Sequence, residues 1–191
     1  ETVTEPSSLA VSVNGSNISC FNTCDGSAIA VASGGTPNYS FVWNDPNVQT
    51  TATASNLCVG SYTVTVSDNN GCTETSSISL SEPSVLSNTL STNNASCYGS
   101  CDGTASIVVS GGSPGYSYQW NDLAFQTTPI ASNLCAGSYS VTVTDTNGCV
   151  DITSVVISEP PPIILTTSSV NSNCGNNDGQ ISVVASGGNP G

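Results

Sequence analysis

Shifted against itself by 77 residues, the chain repeats: residues 6–82 fall on residues 83–159 without a gap, and 41 of the 77 positions are identical. Cys20, Cys24, Cys58 and Cys72 return as Cys97, Cys101, Cys135 and Cys149, and Glu82-Pro83 returns as Glu159-Pro160. A third copy opens at Pro160, keeps Cys174, drops one residue and runs through Asp178-Gly179 to Ser186-Gly187-Gly188. Repetition of a whole unit constrains a fold strongly, because each copy must form the same structure and tolerate an identical neighbour. The expected organisation is 1–5 as the end of a preceding module, 6–82 as repeat 1, 83–159 as repeat 2 and 160–191 as the start of a truncated repeat 3. The chain thus reads as a window on a longer tandem array.

Each copy reads as short strands. Leu9, Val11 and Val13 alternate onto one face, and a second strand runs from Ser27 to Ala32, where Ala105, Ile107 and Val109 of the second copy mark the inward positions. Gly34-Gly35-Thr36-Pro37 turns into a strand whose Tyr39, Phe41 and Trp43 share a face. Ala52 to Leu57 follows, then the period-2 strand Tyr62-Thr63-Val64-Thr65-Val66, then the turn Asp68-Asn69-Asn70-Gly71 before Ile78 and Leu80. Six or seven strands with turns about every 8–12 residues and no helical periodicity predict an all-β fold. The expected architecture is tandem immunoglobulin- or fibronectin-like antiparallel β-sandwich modules stabilised by disulfides. Trp43 and Trp120 are the expected core aromatics, and Tyr62 and Tyr139 stand where a tyrosine corner would sit.

Each copy carries the pattern Cys…Asp-Gly-Ser/Thr-Ala…Ser-Gly-Gly…Pro-x-Tyr-Ser-Phe/Tyr-x-Trp…Asn-Leu-Cys-x-Gly-Ser-Tyr-x-Val-Thr-Val-x-Asp-x-Asn-Gly-Cys…Glu-Pro. This pattern resembles the SprB repeat of Bacteroidota cell-surface and gliding-motility adhesin-like proteins. The resemblance spans the whole chain. It implies export, an extracellular or cell-surface location, and a stalk role that says little about a ligand. The Cys24/Cys58 pair goes beyond the minimal two-cysteine form of the motif.

Charge narrows the function classes. There is no Lys, Arg or His against 13 Asp and Glu, a net charge of −13. Nothing can neutralise phosphates, so nucleic acid is not an expected partner. No imidazole or amine is present to work as a base near neutral pH, and no enzyme is expected. No apolar run is long enough to span a bilayer, so no membrane insertion is expected in this segment. The expected partners are neighbouring modules of the same chain and identical chains in a filament. A glycan or surface ligand is the alternative, in which the repeats form a ligand-binding adhesin module that uses its end loops. Val48 and Phe125 are the binding candidates, because Pro46-Asn47-Val48 and Leu123-Ala124-Phe125 differ between otherwise similar copies.

Nine cysteines without histidine read as disulfides formed in an oxidising compartment. The third copy keeps Cys174 but has no counterpart of Cys24, so the Cys20-type residue does not depend on its near neighbour. In a sandwich the strands after Cys24 and after Cys58 begin at the same end, which predicts Cys24–Cys58 and Cys101–Cys135. Cys20, Cys72, Cys97 and Cys149 remain. Cys72 should lie at the opposite end of the module from Cys20, so a bond from Cys20 to Cys149, with Cys72 turned to a preceding module, competes with pairing inside each module. The resemblance implies the within-module pairs Cys20–Cys72 and Cys97–Cys149.

The acids recur beside Gly or Asn, which is Asx-turn chemistry. Carboxylates and loop carbonyls could also hold Ca²⁺, with Asp25, Asp68, Asp102 and Asp145 as the candidates. No D-x-D-x-D-G loop is present, so no cofactor is expected and calcium is the one metal to test.

Overall fold

A computed structural model describes residues 5–189. The expected module 1–5 therefore lies outside the described residues except for Glu5. The described residues contain no helix and fourteen strands. The first copy supplies β1 (Ala10–Ser16), β2 (Gly26–Ser33), β3 (Ser40–Trp43), β4 (Thr53–Leu57), β5 (Gly60–Ser67) and β6 (Thr73–Leu80). The second copy supplies β7 (Ser87–Asn93), β8 (Gly103–Ser110), β9 (Ser117–Trp120), β10 (Ile130–Leu134), β11 (Gly137–Thr144) and β12 (Val150–Ile157). Each of these begins and ends 77 residues after its counterpart. β13 (Ile164–Val170) and β14 (Gln180–Ser186) form a two-stranded hairpin.

Every pairing is antiparallel. In the first copy the sheets run β1-β2-β4 and β3-β5-β6, and in the second β7-β8-β10 and β9-β11-β12. That division puts the first, second and fourth strands in one sheet and the third, fifth and sixth in the other. It is the immunoglobulin-type sandwich, with three strands per sheet. By compactness the chain divides into two units. One holds residues 5–87 with the loops Gly111–Gly115 and Asp145–Cys149; the other holds 88–110, 116–144 and 150–189.

The alternation read in the sequence sets the core. On β2 Gly26, Ala28 and Ala30 face inward, and on β5 Tyr62, Val64 and Val66 do. Trp43, Leu57, Ala54, Leu80 and Ile18 complete one buried cluster with them. Small residues at Ala28, Ala30 and Ala54 leave room for a single large indole between the two sheets. The indole N–H is not left bare: Trp43 Nε1 donates to the Thr51 carbonyl at 2.9 Å. In the second copy Trp120 Nε1 donates to Thr128 in the same way, and Ala105, Ile107, Ala131, Val141 and Val143 are buried. The tyrosine corners form as well. Tyr62 Oη donates to the Cys58 carbonyl at 3.0 Å and Tyr139 Oη to Cys135 at 3.1 Å.

The recurrent Ser-Gly-Gly has a steric cause. Gly34 has φ +71°, and a Cβ there would stand 2.0 Å from the Ser8 carbonyl oxygen. Only glycine permits this left-handed close approach.

Because Trp43 is fully enclosed, Trp43→Ala is expected to cost about 3–5 kcal/mol. Urea unfolding with the disulfides intact, followed by circular dichroism, measures this loss. A change under about 1 kcal/mol would remove the indole from its place as the centre of the core.

Candidate functional site

The chemistry-bearing residues collect on two kinds of loop. The first kind connects the first strand of a copy to its second and carries two cysteines. In residues 17–25 the buried Ile18 donates its N–H to Ser81 at 3.0 Å. Asn17 Oδ1 accepts the Ser81 N–H, and Glu82 Oε2 accepts the Asn22 N–H at 2.6 Å. Asp25 closes the loop on itself: its carboxylate accepts the Ser19 N–H at 3.0 Å and the Ser19 hydroxyl. The second copy repeats the frame, with a hydroxyl on its carboxylate coming from Ser100, the counterpart of Thr23. Ala95 N–H donates to Ser158, Asn94 accepts from Ser158, Glu159 accepts the Gly99 N–H, and Asp102 accepts the Ser96 N–H at 2.9 Å and the Ser100 hydroxyl at 2.8 Å.

The second kind is the turn between the last two strands of a copy. Asp68 Oδ1 accepts the N–H groups of Asn70 and Cys72, both at 2.9 Å, while Oδ2 accepts that of Thr36 at 2.8 Å. Asp145 does the same with Asn147, Cys149 and Ser113. Gly71 (φ +83°) and Gly148 (φ +85°) make the tight return. The Asp-x-Asn-Gly-Cys motif is thus a prefabricated loop that presents a cysteine at its end.

The described cystines are Cys24–Cys58, Cys101–Cys135 and Cys20–Cys149. The first two follow from strand register: Gly26 pairs with Leu57, so the residues just outside that pair are brought together. The third departs from the pairs the resemblance implied. Cys20 is not bonded to Cys72, nor Cys97 to Cys149; Cys72 and Cys97 are free, exposed thiols, as is Cys174. Sheet geometry gives the reason. The loop of Cys20 is tied to Ser81, at the end of the β5/β6 ladder where Gly60 pairs with Leu80, whereas Cys72 follows the other end, where Ser67 pairs with Thr73. Eight residues of strand separate them by roughly 23 Å, far beyond a cystine's reach. The bond to Cys149 lies within the first unit, which includes the 145–149 loop. There Asn147 Nδ2 donates to the Ser19 carbonyl at 2.9 Å and to the Ser113 hydroxyl at 2.8 Å.

Val48 and Phe125 occupy equivalent exposed turn positions with φ of +48° and +49°. A buried carboxylate holds each turn. Asp45 accepts the N–H groups of Asn47 and Gln49 and the Gln49 amide, and Asp122 those of Ala124 and Gln126 and the Gln126 amide. A left-handed β-branched or aromatic residue is costly. The turn keeps it because its anchor supplies three hydrogen bonds.

These bonds set the acidities. Ser19, chiefly through its hydroxyl, holds Asp25 below the usual carboxyl value. The Ser96 side chain first, then its N–H and the Ser100 hydroxyl, bring Asp102 to about 2. The Thr36, Cys72 and Asn70 N–H groups lower Asp68. For Asp45, Asp122 and Asp145 burial by itself pushes upward, and the hydrogen bonds outweigh it. Each of the four calcium candidates Asp25, Asp68, Asp102 and Asp145 is occupied with N–H or O–H donors. Among the described residues no group of three or more His, Cys, Asp or Glu is placed to hold a metal ion. Nor, among them, is any helix long and apolar enough to cross a membrane. Sequence reasoning assigned no role to Glu82, Glu159, Gln49 and Gln126. Their recurrence at the 77-residue interval was the available signal.

The SprB-repeat family model matches residues 12–48 and 89–125. No curated protein matches the chain in sequence. Among solved structures, one described as "Structural basis for Dscam isoform specificity" is 12% identical with a TM-score of 0.35; the match covers 80% of this chain and 46% of that one. The amphioxus IgVJ-C2 molecule is 14% identical with a TM-score of 0.31, covering 78% of this chain and 96% of that one. A tetra-tandem repeat in the extending region of a large adhesion protein is 14% identical with a TM-score of 0.28, covering 94% and 62%.

A carboxyl whose folded pKa is lowered stabilises the fold above its unfolded pKa, and that contribution disappears as pH falls through the folded value. For Asp102 the window runs from the unfolded value of about 3.9 down to about 2. The melting temperature of the chain should exceed that of Asp102→Asn by a constant margin at neutral pH. The margin should close across this window. Comparing the two proteins cancels the general relief of repulsion on acidification. A margin that persists at the bottom of the window would show that Asp102 does not anchor its loop as a carboxylate.

Proposed function

We propose that this chain, which carries two SprB repeats, is a structural segment of an extracellular surface stalk, adhesin or filament, with no catalytic chemistry of its own. The observation that carries this reading is that one six-strand sandwich is laid down twice at a fixed spacing, with its recurrent Asp and Cys residues engaged in holding loops. The modules are taken as 6–82 and 83–159, with 160–191 opening a third and 1–5 closing an earlier one. Oxidised cystines suit an exported location. The lack of Lys and Arg removes every trypsin-type site, and a charge of −13 keeps a long acidic array from collapsing on itself. The partners are neighbouring modules of the same chain, and identical chains where the segment forms part of a filament.

One observation favours a second reading. Phe125 and Leu123 are apolar, exposed and held at the tip of a rigid turn, and such a strained tip is a common place for a binding contact. In that reading the module grips a glycan or another surface ligand.

The two readings separate experimentally. Concatenated chains of increasing repeat number, imaged by electron microscopy, should lengthen by a constant increment of roughly 35–40 Å per module, a strand length plus its end loops. The chain should bind no glycan on an array. Glycan binding that is lost on Phe125→Ala would replace the stalk reading with the binding one.

A further inference from the structure

The Cys20–Cys149 bond joins two loops, and each of those loops has a counterpart in the other copy whose equivalent cysteine is free. Cys97 sits on the twin of the Cys20 loop. There Ala95, Asn94, Glu159 and Asp102 repeat the contacts of Ile18, Asn17, Glu82 and Asp25. Cys72 sits on the twin of the Cys149 loop, with Asp68 accepting the same N–H groups in the same order as Asp145. The loops that carry both free thiols are therefore held by the same hydrogen-bond frame as their bonded counterparts.

The surroundings of Cys97 match those of Cys20 in part. In the first unit, Asn147 spans from the Ser113 hydroxyl to the Ser19 carbonyl and places Cys149 against Cys20. In the second unit, the counterparts of Ser19, Cys20 and Ser113 are Ser96, Cys97 and Asn189, the last counted across the single deletion. These three, with Tyr98, Pro161 and Ile163, line a cavity of about 550 Å³. Three of its lining residues, Ser96, Cys97 and Asn189, are thus the counterparts of residues bonded to the 145–149 loop, and Asn189 Nδ2 already reaches the Ser96 carbonyl at 3.2 Å.

We infer that Cys97 is the socket for the Asp-x-Asn-Gly-Cys loop of a following SprB repeat, and Cys72 the plug for the Cys20-type loop of a preceding one. Successive repeats would then be joined by disulfide as well as by backbone, always from the Cys20-type position of one copy to the Cys72-type position of the next. In forming the bond the two thiols lose two protons and two electrons. A low-molecular-weight disulfide such as oxidised glutathione takes them, its S–S bond breaking to two glutathione thiols through a mixed disulfide. This goes beyond the stalk reading and is independent of it, since a ligand-binding array could carry the same link.

The test appends a copy of residues 116–159 after Gly191, which completes the third repeat, and oxidises the protein in a glutathione buffer. A non-reducing peptide map, cut at acidic and aromatic residues, should show Cys97 bonded to the appended counterpart of Cys149, with Cys20–Cys149 retained. Alkylation of Cys97 by iodoacetamide should fall by roughly tenfold or more relative to the original chain. A Cys97 that stays reactive, or that pairs with Cys174, overturns the inference. A second variant, Cys20→Ser in the original chain, keeps the question open to refutation should the extension misfold. Cys149 should then remain a free thiol, and a Cys97–Cys149 bond within the repeat would refute the pairing rule.

Discussion

A carboxylate in a protein without a single cation has only N–H and O–H groups to turn to, and the loops of this molecule are built around that constraint. Asp45, Asp68, Asp122 and Asp145 are all buried, and each is wrapped by three donors drawn from its own turn or a neighbouring one. Burial of an unpaired charge would be prohibitive. Charge-assisted bonds to backbone N–H groups instead hold the loops in one conformation. The sheets supply the core, but the acids decide where each loop ends, and so where each cysteine points.

The same arrangement explains how little the two copies differ. A turn held by backbone donors constrains the acid and the glycine and lets the second residue vary. Asp68-Asn69-Asn70-Gly71 and Asp145-Thr146-Asn147-Gly148 keep one geometry with different second residues. At the other tips, Asp45 and Asp122 hold a valine and a phenylalanine in the same left-handed conformation. The variable residue sits where the backbone has already been fixed.

The strands, the inward faces and the tyrosine corners were legible because they rest on local periodicity and register: Val64 and Val66 alternate with threonines, and Tyr39, Phe41 and Trp43 recur at every second residue. The partner of Cys20 was legible only as a choice between Cys72 and Cys149. Strand order set Cys72 at the far end of the sandwich, but which other loop arrives beside Cys20 leaves no mark in local pattern. Glu82 and Glu159 illustrate the same limit. Each reaches a backbone N–H 60 residues earlier in the chain, so only the fold gives their recurrence a meaning. Left-handed Val48 was equally hidden, since valine itself argues against that conformation and the cause lies three residues upstream in Asp45.

The Cys20–Cys149 cystine also decides how the chain would carry tension. Force entering from the N-terminal side reaches Cys20 and crosses directly to Cys149, short-circuiting a separation of 129 residues. At full extension those residues would amount to about 440 Å of contour, none of which can be paid out while the bond holds. Both copies' tryptophan cores and the Cys24–Cys58 and Cys101–Cys135 cystines lie inside the bypassed stretch. A pull between Cys20 and Cys149 is therefore borne by covalent bonds first, and the stretch between them is loaded only after a reductant has opened that shortcut. By contrast, β1 and β12 lie outside it and rely on their ladders with β2 and β11.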